Sequence, residues 1–324
     1  MDARQAPVQA AFLLDGDGGA SPLPEPWGQH LDVDGTVWLH LDAGNERTQQ
    51  WVREESGIDE GTAEALIAED TRPRCQAGPD GLLLILRSAN LEPGAEPADL
   101  VSLRIWATPK RVVSLRLRPT KILDMARGAF AEKMGPGDAG WMVELLAHGA
   151  VDKLDEVVAE LEEEFDDFEG ESEDLDPAEA NARLTGLRRR IIGIRRFLFP
   201  QRDAFLKLAG ASPDWFSRSA REALHHLADQ VVRLAEDIDA LRDRAAVAND
   251  QLESRMNQRM NQRLYLFTVV ATVFLPLGII TGLLGINVGG MPGAEDPSAF
   301  WYVSGGLLVL GAVELIVLRS IRWL

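Results

Sequence analysis

Leu264–Leu284 reads LYLFTVVATVFLPLGIITGLL, without one charged residue. At 1.5 Å per residue a helix of this length spans roughly 31 Å, the hydrocarbon thickness of a bilayer. A second apolar run, Phe300–Leu318, is broken only by Glu314. Arg255, Arg259 and Arg263 precede the first run, and Arg319 and Arg322 follow the second. The intervening segment, 285–299, has no Lys or Arg and carries Glu295 and Asp296. The positive-inside rule then predicts two membrane spans, 264–284 and 300–319, with both termini and the tail 320–324 cytoplasmic and the 285–299 loop outside. Tyr265, Tyr302, Trp301 and Trp323 sit at span ends as an aromatic belt. Residues 1–30 lack the basic and apolar regions of a cleavable signal.

Outward from these spans, the remainder reads as water-soluble. The chain has 324 residues, 33 basic against 51 acidic, for a formal charge of −18. That balance argues against nucleic acid, whose phosphates call for a basic footprint. One cysteine, Cys75, excludes a disulfide framework and a cysteine-rich zinc site. The five histidines are scattered, and His225-His226 diverge by about 100° on a helix, so they form no chelating pair. Gly16-Asp17-Gly18-Gly19 lacks the lysine of a phosphate loop. No nucleophile, base and orienting group stand out together, so the chain is not read as an enzyme, and no cofactor is expected.

Residues 1–140 are predicted to form a cytoplasmic α/β domain. Strands are expected at Ala11–Leu14, Thr36–Leu41, Leu82–Leu86, Leu100–Ala107 and Arg111–Leu117, and helices at Asn45–Ser56 and Gly61–Ala68. Residues 141–212 then read as a helical hairpin. Its first arm is acidic, with 14 acids and one lysine between Asp152 and Asp176; its second carries Arg183, Arg188, Arg189, Arg190, Arg195 and Arg196. The acidic face is either a solvated helix surface or a cation-attracting one near a pore mouth.

Ser212-Pro213-Asp214 has the chemistry of a helix start, and no further proline occurs until Pro276, nor any glycine until Gly278. The pattern predicts one helix over 213–284. Leu224, Leu227, Val231, Leu234, Ile238, Leu241, Ala245, Ala248 and Leu252 mark its apolar stripe. Asp250, Asn257, Asn261 and Thr268 fall within about 40° of one another on a different face, which Leu264, Leu275 and Gly282 extend. A polar stripe entering a membrane span is costly against lipid and natural against water. Two spans enclose no path alone, so transport requires several copies around an axis.

The first span ends Gly282-Leu283-Leu284-Gly285-Ile286-Asn287-Val288-Gly289-Gly290-Met291-Pro292-Gly293. A Gly-x-Asn at the end of the first of two C-terminal spans, after a long stalk helix, resembles the CorA superfamily of divalent-cation transporters. The x is Ile286 rather than the methionine of the magnesium branch, and with Val288-Gly289-Gly290 it resembles the ZntB-type zinc-transporter branch. Thr71-Arg72-Pro73-Arg74, Arg195-Arg196 with Pro200-Gln201-Arg202-Asp203, Phe274-Leu275-Pro276 and Arg319-Ser320 with Trp323-Leu324 agree with it. The resemblance implies a CorA-like pentameric funnel in a bacterial inner membrane. The first span would line the pore and Gly285-Ile286-Asn287 would form its outer mouth, with Glu295 and Asp296 adding negative field.

The implied function is transport of divalent transition-metal cations, foremost Zn²⁺. A CorA-like Mg²⁺ or Co²⁺ channel is the alternative, and a non-transporting membrane-anchored sensor a third. The expected path offers oxygen and apolar groups rather than the nitrogen and sulfur zinc prefers, so a partly hydrated ion is expected to pass, with no tightly held metal. Metal-ligand spacing is equally lacking in the first 135 residues, so cations are expected to be attracted weakly there. Glu314, five residues before Arg319, either snorkels to the interface or serves the transport path.

Overall fold

The computed structural model describes residues 8–79, 81–90, 99–118, 121–286, 293 and 296–320. The chain divides into two compact units, Met1–Asn249 and Asp250–Leu324.

The first unit is built on a seven-stranded sheet: β1 (Val8–Leu14), β2 (Ala20–Pro22), β3 (Thr36–Asp42), β4 (Arg74–Gly78), β5 (Gly81–Ser88), β6 (Val101–Thr108) and β7 (Arg111–Arg116). Their spatial order is β2-β1-β3-β7-β6-β5-β4. Only β3 and β7 pair in parallel, with Leu39 opposite Val113. Six of the seven residues of β3 and five of the six of β7 are buried, because helices cover both faces of the sheet centre. On one face Val37, Leu39 and Leu41 pack with Trp51, Val52 and Leu66 of α1 (Glu46–Glu54) and α2 (Glu60–Ile67). Asn45 and Asp59 cap these helices by accepting from the Arg47 and Thr62 amides. On the other face Trp38 stacks on Phe12 and meets Phe130 of α3 (Ile122–Ala131) edge-on.

His40, on the same strand, is fully buried. Its Nδ1 lies 2.9 Å from the Ser114 hydroxyl, which also accepts from Trp38 Nε1 and donates to the Leu39 carbonyl. Nε2 is buried without a partner. Burial, with Arg116 nearby, pushes its pKa down to about 3.

The expected hairpin is α4 (Ala139–Glu171) and α5 (Pro177–Gly210), with Asp138 and Asp176 as caps. The stalk is α6 (Arg218–Leu284), 67 residues and roughly 100 Å long. It begins five residues later than expected. Ser212 hydrogen-bonds backward, to the Leu208 carbonyl, so it closes α5 rather than opening α6. Ser217 supplies the start, its hydroxyl accepting from the Ala220 amide. The expected stripe from Leu224 to Leu252 is buried throughout, as are Leu154, Leu161, Phe165 and Phe168 of α4 and Leu184, Ile191 and Ile194 of α5.

Charge decorates this three-helix core. Arg183 meets Glu171 at 2.6 Å, and Arg190 bonds Glu164, tying the two hairpin arms together as expected. Arg244 of α6 bonds Asp166 and Glu169 and lies over the Phe165 ring. Arg195 meets Asp239 at 2.9 Å. These pairs are part-exposed and screened, so they orient the helices more than they stabilise them.

The second unit holds the rest of α6 and α7 (Ala299–Ser320). Both helices are long and apolar enough to cross a membrane.

Candidate ion-conducting site

Within the second unit the two helices bury little of each other. Along the two apolar spans Val269 and Leu318 are the buried apolar residues among those described, and Leu277 packs beside Gly311. By contrast Phe267 (71%), Phe274 (67%) and Leu308 (77%) stand open. Apolar surface on this scale is covered by lipid or by further copies, not water.

The half-buried positions on the first span, Val273, Pro276 and Leu277, lie on the Val269 side of the helix. The stripe carrying Asp250, Asn257, Asn261, Leu264, Thr268, Leu275 and Gly282 lies roughly 80–140° from Val269, and all seven residues are exposed. That polar-to-apolar face is therefore bare in the single chain.

Local bonding prepares the stripe. The Thr268 hydroxyl donates to the Leu264 carbonyl at 2.9 Å, and Thr272 and Thr281 repeat the pattern onto Thr268 and Leu277. With its proton committed, Thr268 presents only oxygen lone pairs, which suit a cation or the protons of its hydration water. Pro276 stands inside the helix. It has no N–H, so the Thr272 carbonyl loses its helical donor.

Gly285 ends α6 by donating to the Thr281 carbonyl at 2.9 Å. Its backbone is not left-handed, unlike Gly293 at φ 83°. A Cβ at Gly285 would lie 3.1 Å from the Thr281 oxygen. Crowding against that carbonyl therefore favours glycine here, rather than the left-handed termination that a C-terminal glycine suggests.

Ile286 is exposed. Asn287 and Glu295 lie outside the described residues, as do Val288–Pro292. Asp296 is described, and its carboxylate accepts from the Ser298 amide at 2.9 Å and hydroxyl at 2.6 Å. Those two bonds hold its carboxyl below the usual aspartate range. Asp296 thus shapes the turn into α7 besides carrying charge, a role its sequence context Asp-Pro-Ser could have signalled.

Glu314 lies on the same face of α7 as Leu307, Gly311 and Leu318, at helical spacings of three and four. Its Oε2 is buried without a hydrogen-bond partner among the described residues. The residue as a whole is half-buried. Among the described residues no three His, Cys, Asp or Glu side chains are grouped to hold a metal ion.

Comparison with known proteins adds a second line. The family model described as CorA-like Mg²⁺ transporter protein matches residues 33–320. A divalent cation transporter CmaX of Pseudomonas aeruginosa is 38% identical over 97% of this chain and 96% of its own length. A zinc transport protein ZntB of Pectobacterium carotovorum is 33% identical over 97% and 95%. Among solved structures, full-length CmaX aligns with a TM-score of 0.82 at 36% identity, covering 98% of both chains. The CorA magnesium transporter of Methanocaldococcus jannaschii aligns at 0.81 with 19% identity, over 97% of this chain and 99% of its own, a likeness of fold.

Proposed function

The chain belongs to the family of CorA-like Mg²⁺ transporter proteins, and from that premise we propose that it moves Zn²⁺ through an axial path formed by a ring of its own copies, most simply five. At the coarser level it is a membrane transporter of divalent cations. The observation that carries the finer reading is the bare stripe from Asp250 to Gly282. A face with carboxylate, amide and hydroxyl oxygens at its lower end is costly against lipid and favourable against a hydrated cation. Facing an axis, the stripes of several copies would enclose what one copy cannot.

Chemistry restricts how Zn²⁺ is handled. The span offers no His or Cys, so capture in a tight four-coordinate site is disfavoured and the ion passes with part of its water shell. Asn287 is the proposed mouth residue, a neutral acceptor for that water, with Glu295 and Asp296 concentrating cations by their field. The arginines at both inner ends support a reading with the two termini on the cytoplasmic side of a bacterial inner membrane.

A second reading, Mg²⁺ as cargo, is favoured by the family model's description. Zn²⁺ and Mg²⁺ uptake into proteoliposomes, with and without a pH gradient, separates the two. Zn²⁺ flux exceeding Mg²⁺ flux is expected; Mg²⁺ flux without Zn²⁺ flux assigns the second reading.

A further inference from the structure

Transport leaves three sequence pieces unused: Thr71-Arg72-Pro73-Arg74, Arg195-Arg196 and Pro200-Gln201-Arg202-Asp203. They converge in the first unit, around Arg87 at the end of β5. The Arg87 guanidinium donates to the Thr71 and Leu100 carbonyls. Gln201 brackets its backbone from α5. The guanidinium lies over the Phe197 ring at 4.4 Å, and Arg196 lies over the same ring at 5.4 Å.

Beside this cluster opens a cavity of about 430 Å³, lined by Glu69, Arg87, Asp99, Arg118, Arg196 and Phe197 among others. Three guanidinium groups face one space. Arg87 is only 12% exposed, and its Nε is buried without a hydrogen-bond partner among the described residues. Compensation is slight: Asp70 stands 3.8 Å from Arg87 and Asp99 3.8 Å from Arg118, both beyond good hydrogen-bond reach. Burial and the neighbouring Arg196 and Arg118 act together to lower the Arg87 pKa. Like charges gathered around one cavity, with Arg87 withdrawn from solvent and Arg118 and Arg196 at its open side, are stabilised by an anion that fills the space between them.

We propose that this cavity binds a phosphate-bearing small molecule, its phosphate among Arg87, Arg118 and Arg196 and its organic hydroxyls toward Glu69 and Asp99. Guanidinium forks match phosphate oxygens bidentately. The carboxylates repel phosphate but accept from hydroxyls, so the site prefers a phosphate ester to a bare anion. The cavity volume lies in the range of small-molecule sites.

The test uses the full-length protein in detergent, free of divalent cations, at ionic strength matched with gluconate. Ribose 5-phosphate, inorganic phosphate and ribose are titrated by calorimetry and by thermal unfolding. Ribose 5-phosphate is expected to bind and raise the melting temperature, inorganic phosphate to bind more weakly, and ribose to do neither. Arg118→Gln and Arg196→Gln alter exposed side chains and leave the Arg87 backbone bonds intact. Each is expected to weaken ribose 5-phosphate binding by about tenfold or more. Arg218→Gln, on a 92% exposed side chain of α6, should change nothing. Absence of binding by both phosphate compounds, or binding unchanged in both cavity variants, overturns the assignment. The readout is binding, so it does not depend on which cation is carried.

Discussion

The Gln201 amide takes the place of a missing strand beside Arg87: it accepts from the Arg87 N–H at 2.6 Å and donates to the Arg87 carbonyl at 3.1 Å. Strand β4 pairs with β5 only as far as Arg74 opposite Ile85. Past that point the outward backbone groups of β5 face helix α5 instead, and a fully buried glutamine satisfies them.

Gln201→Ala leaves both Arg87 backbone groups unpaired in a buried place. A loss of about 2–4 kcal/mol is expected for the first unit, from two unsatisfied groups. Thermal or denaturant unfolding of the full-length protein measures it. Gln201→Glu keeps the acceptor but turns a second acceptor oxygen onto the Arg87 carbonyl in a buried place, so its loss should be at least as large.

His40 sets a pH limit on the same unit. Its folded pKa, about 3, lies far below the unfolded value of 6.5. The unfolded chain therefore binds a proton that the folded chain refuses, and stability falls as pH drops below about 6.5. The His40 contribution is a slope of about 1.4 kcal/mol per pH unit, ending near pH 3. His40→Leu should lower stability at pH 7 yet flatten that acid limb. An unchanged limb would place the acid sensitivity elsewhere.

On the acidic arm, burial and then Asp237 and Asp166 raise the Glu162 pKa. A carboxyl whose folded pKa is raised costs stability once it ionises, so the cost is present at neutral pH and absent below the ordinary glutamate range. Glu162→Gln is expected to stabilise the bundle at pH 7, by less than about 1 kcal/mol because the half-buried site is still screened by solvent. The gain should shrink in high salt and vanish at low pH.

Much of this architecture is written in hydrophobic periodicity. Both spans, the hairpin and five strands follow from it, because buried faces impose spacing. Elements without an apolar face left no such trace. Strand β4 reads RCQAG and buries only Cys75; β2 is three residues ending in Pro22 at a sheet edge. The helix start was ambiguous because Ser212 and Ser217 carry the same capping chemistry, and only tertiary placement sends one backward and one forward. At the candidate site, the spacing of Asp250, Asn257, Asn261 and Thr268 was legible. The burial of the Glu314 Oε2 and the Asp296–Ser298 bonds were not, since both depend on side-chain placement.

At the outer mouth, the proposed roles of Asn287 and the loop acids differ in range. Asn287→Ala should cut Zn²⁺ flux at least about tenfold at any ionic strength, since it removes a direct acceptor. The Glu295→Gln, Asp296→Asn pair should weaken apparent affinity several-fold at low salt and little at high salt. The asparagine at 296 can still accept from Ser298, so the turn is preserved. Vesicle uptake at two ionic strengths checks both.

The central claim is that the α6 stripe faces the cation path. Cys75 is buried, with its thiol pushed up to about 11, so it is inert toward thiol reagents. Thr268→Cys and Phe274→Cys then place single reactive thiols on the stripe and away from it. The decisive measurement is Zn²⁺ flux into proteoliposomes before and after treatment with a charged methanethiosulfonate. The account predicts that modification blocks flux through Thr268→Cys and spares Phe274→Cys. Flux unaffected in a demonstrably modified Thr268→Cys protein would contradict it.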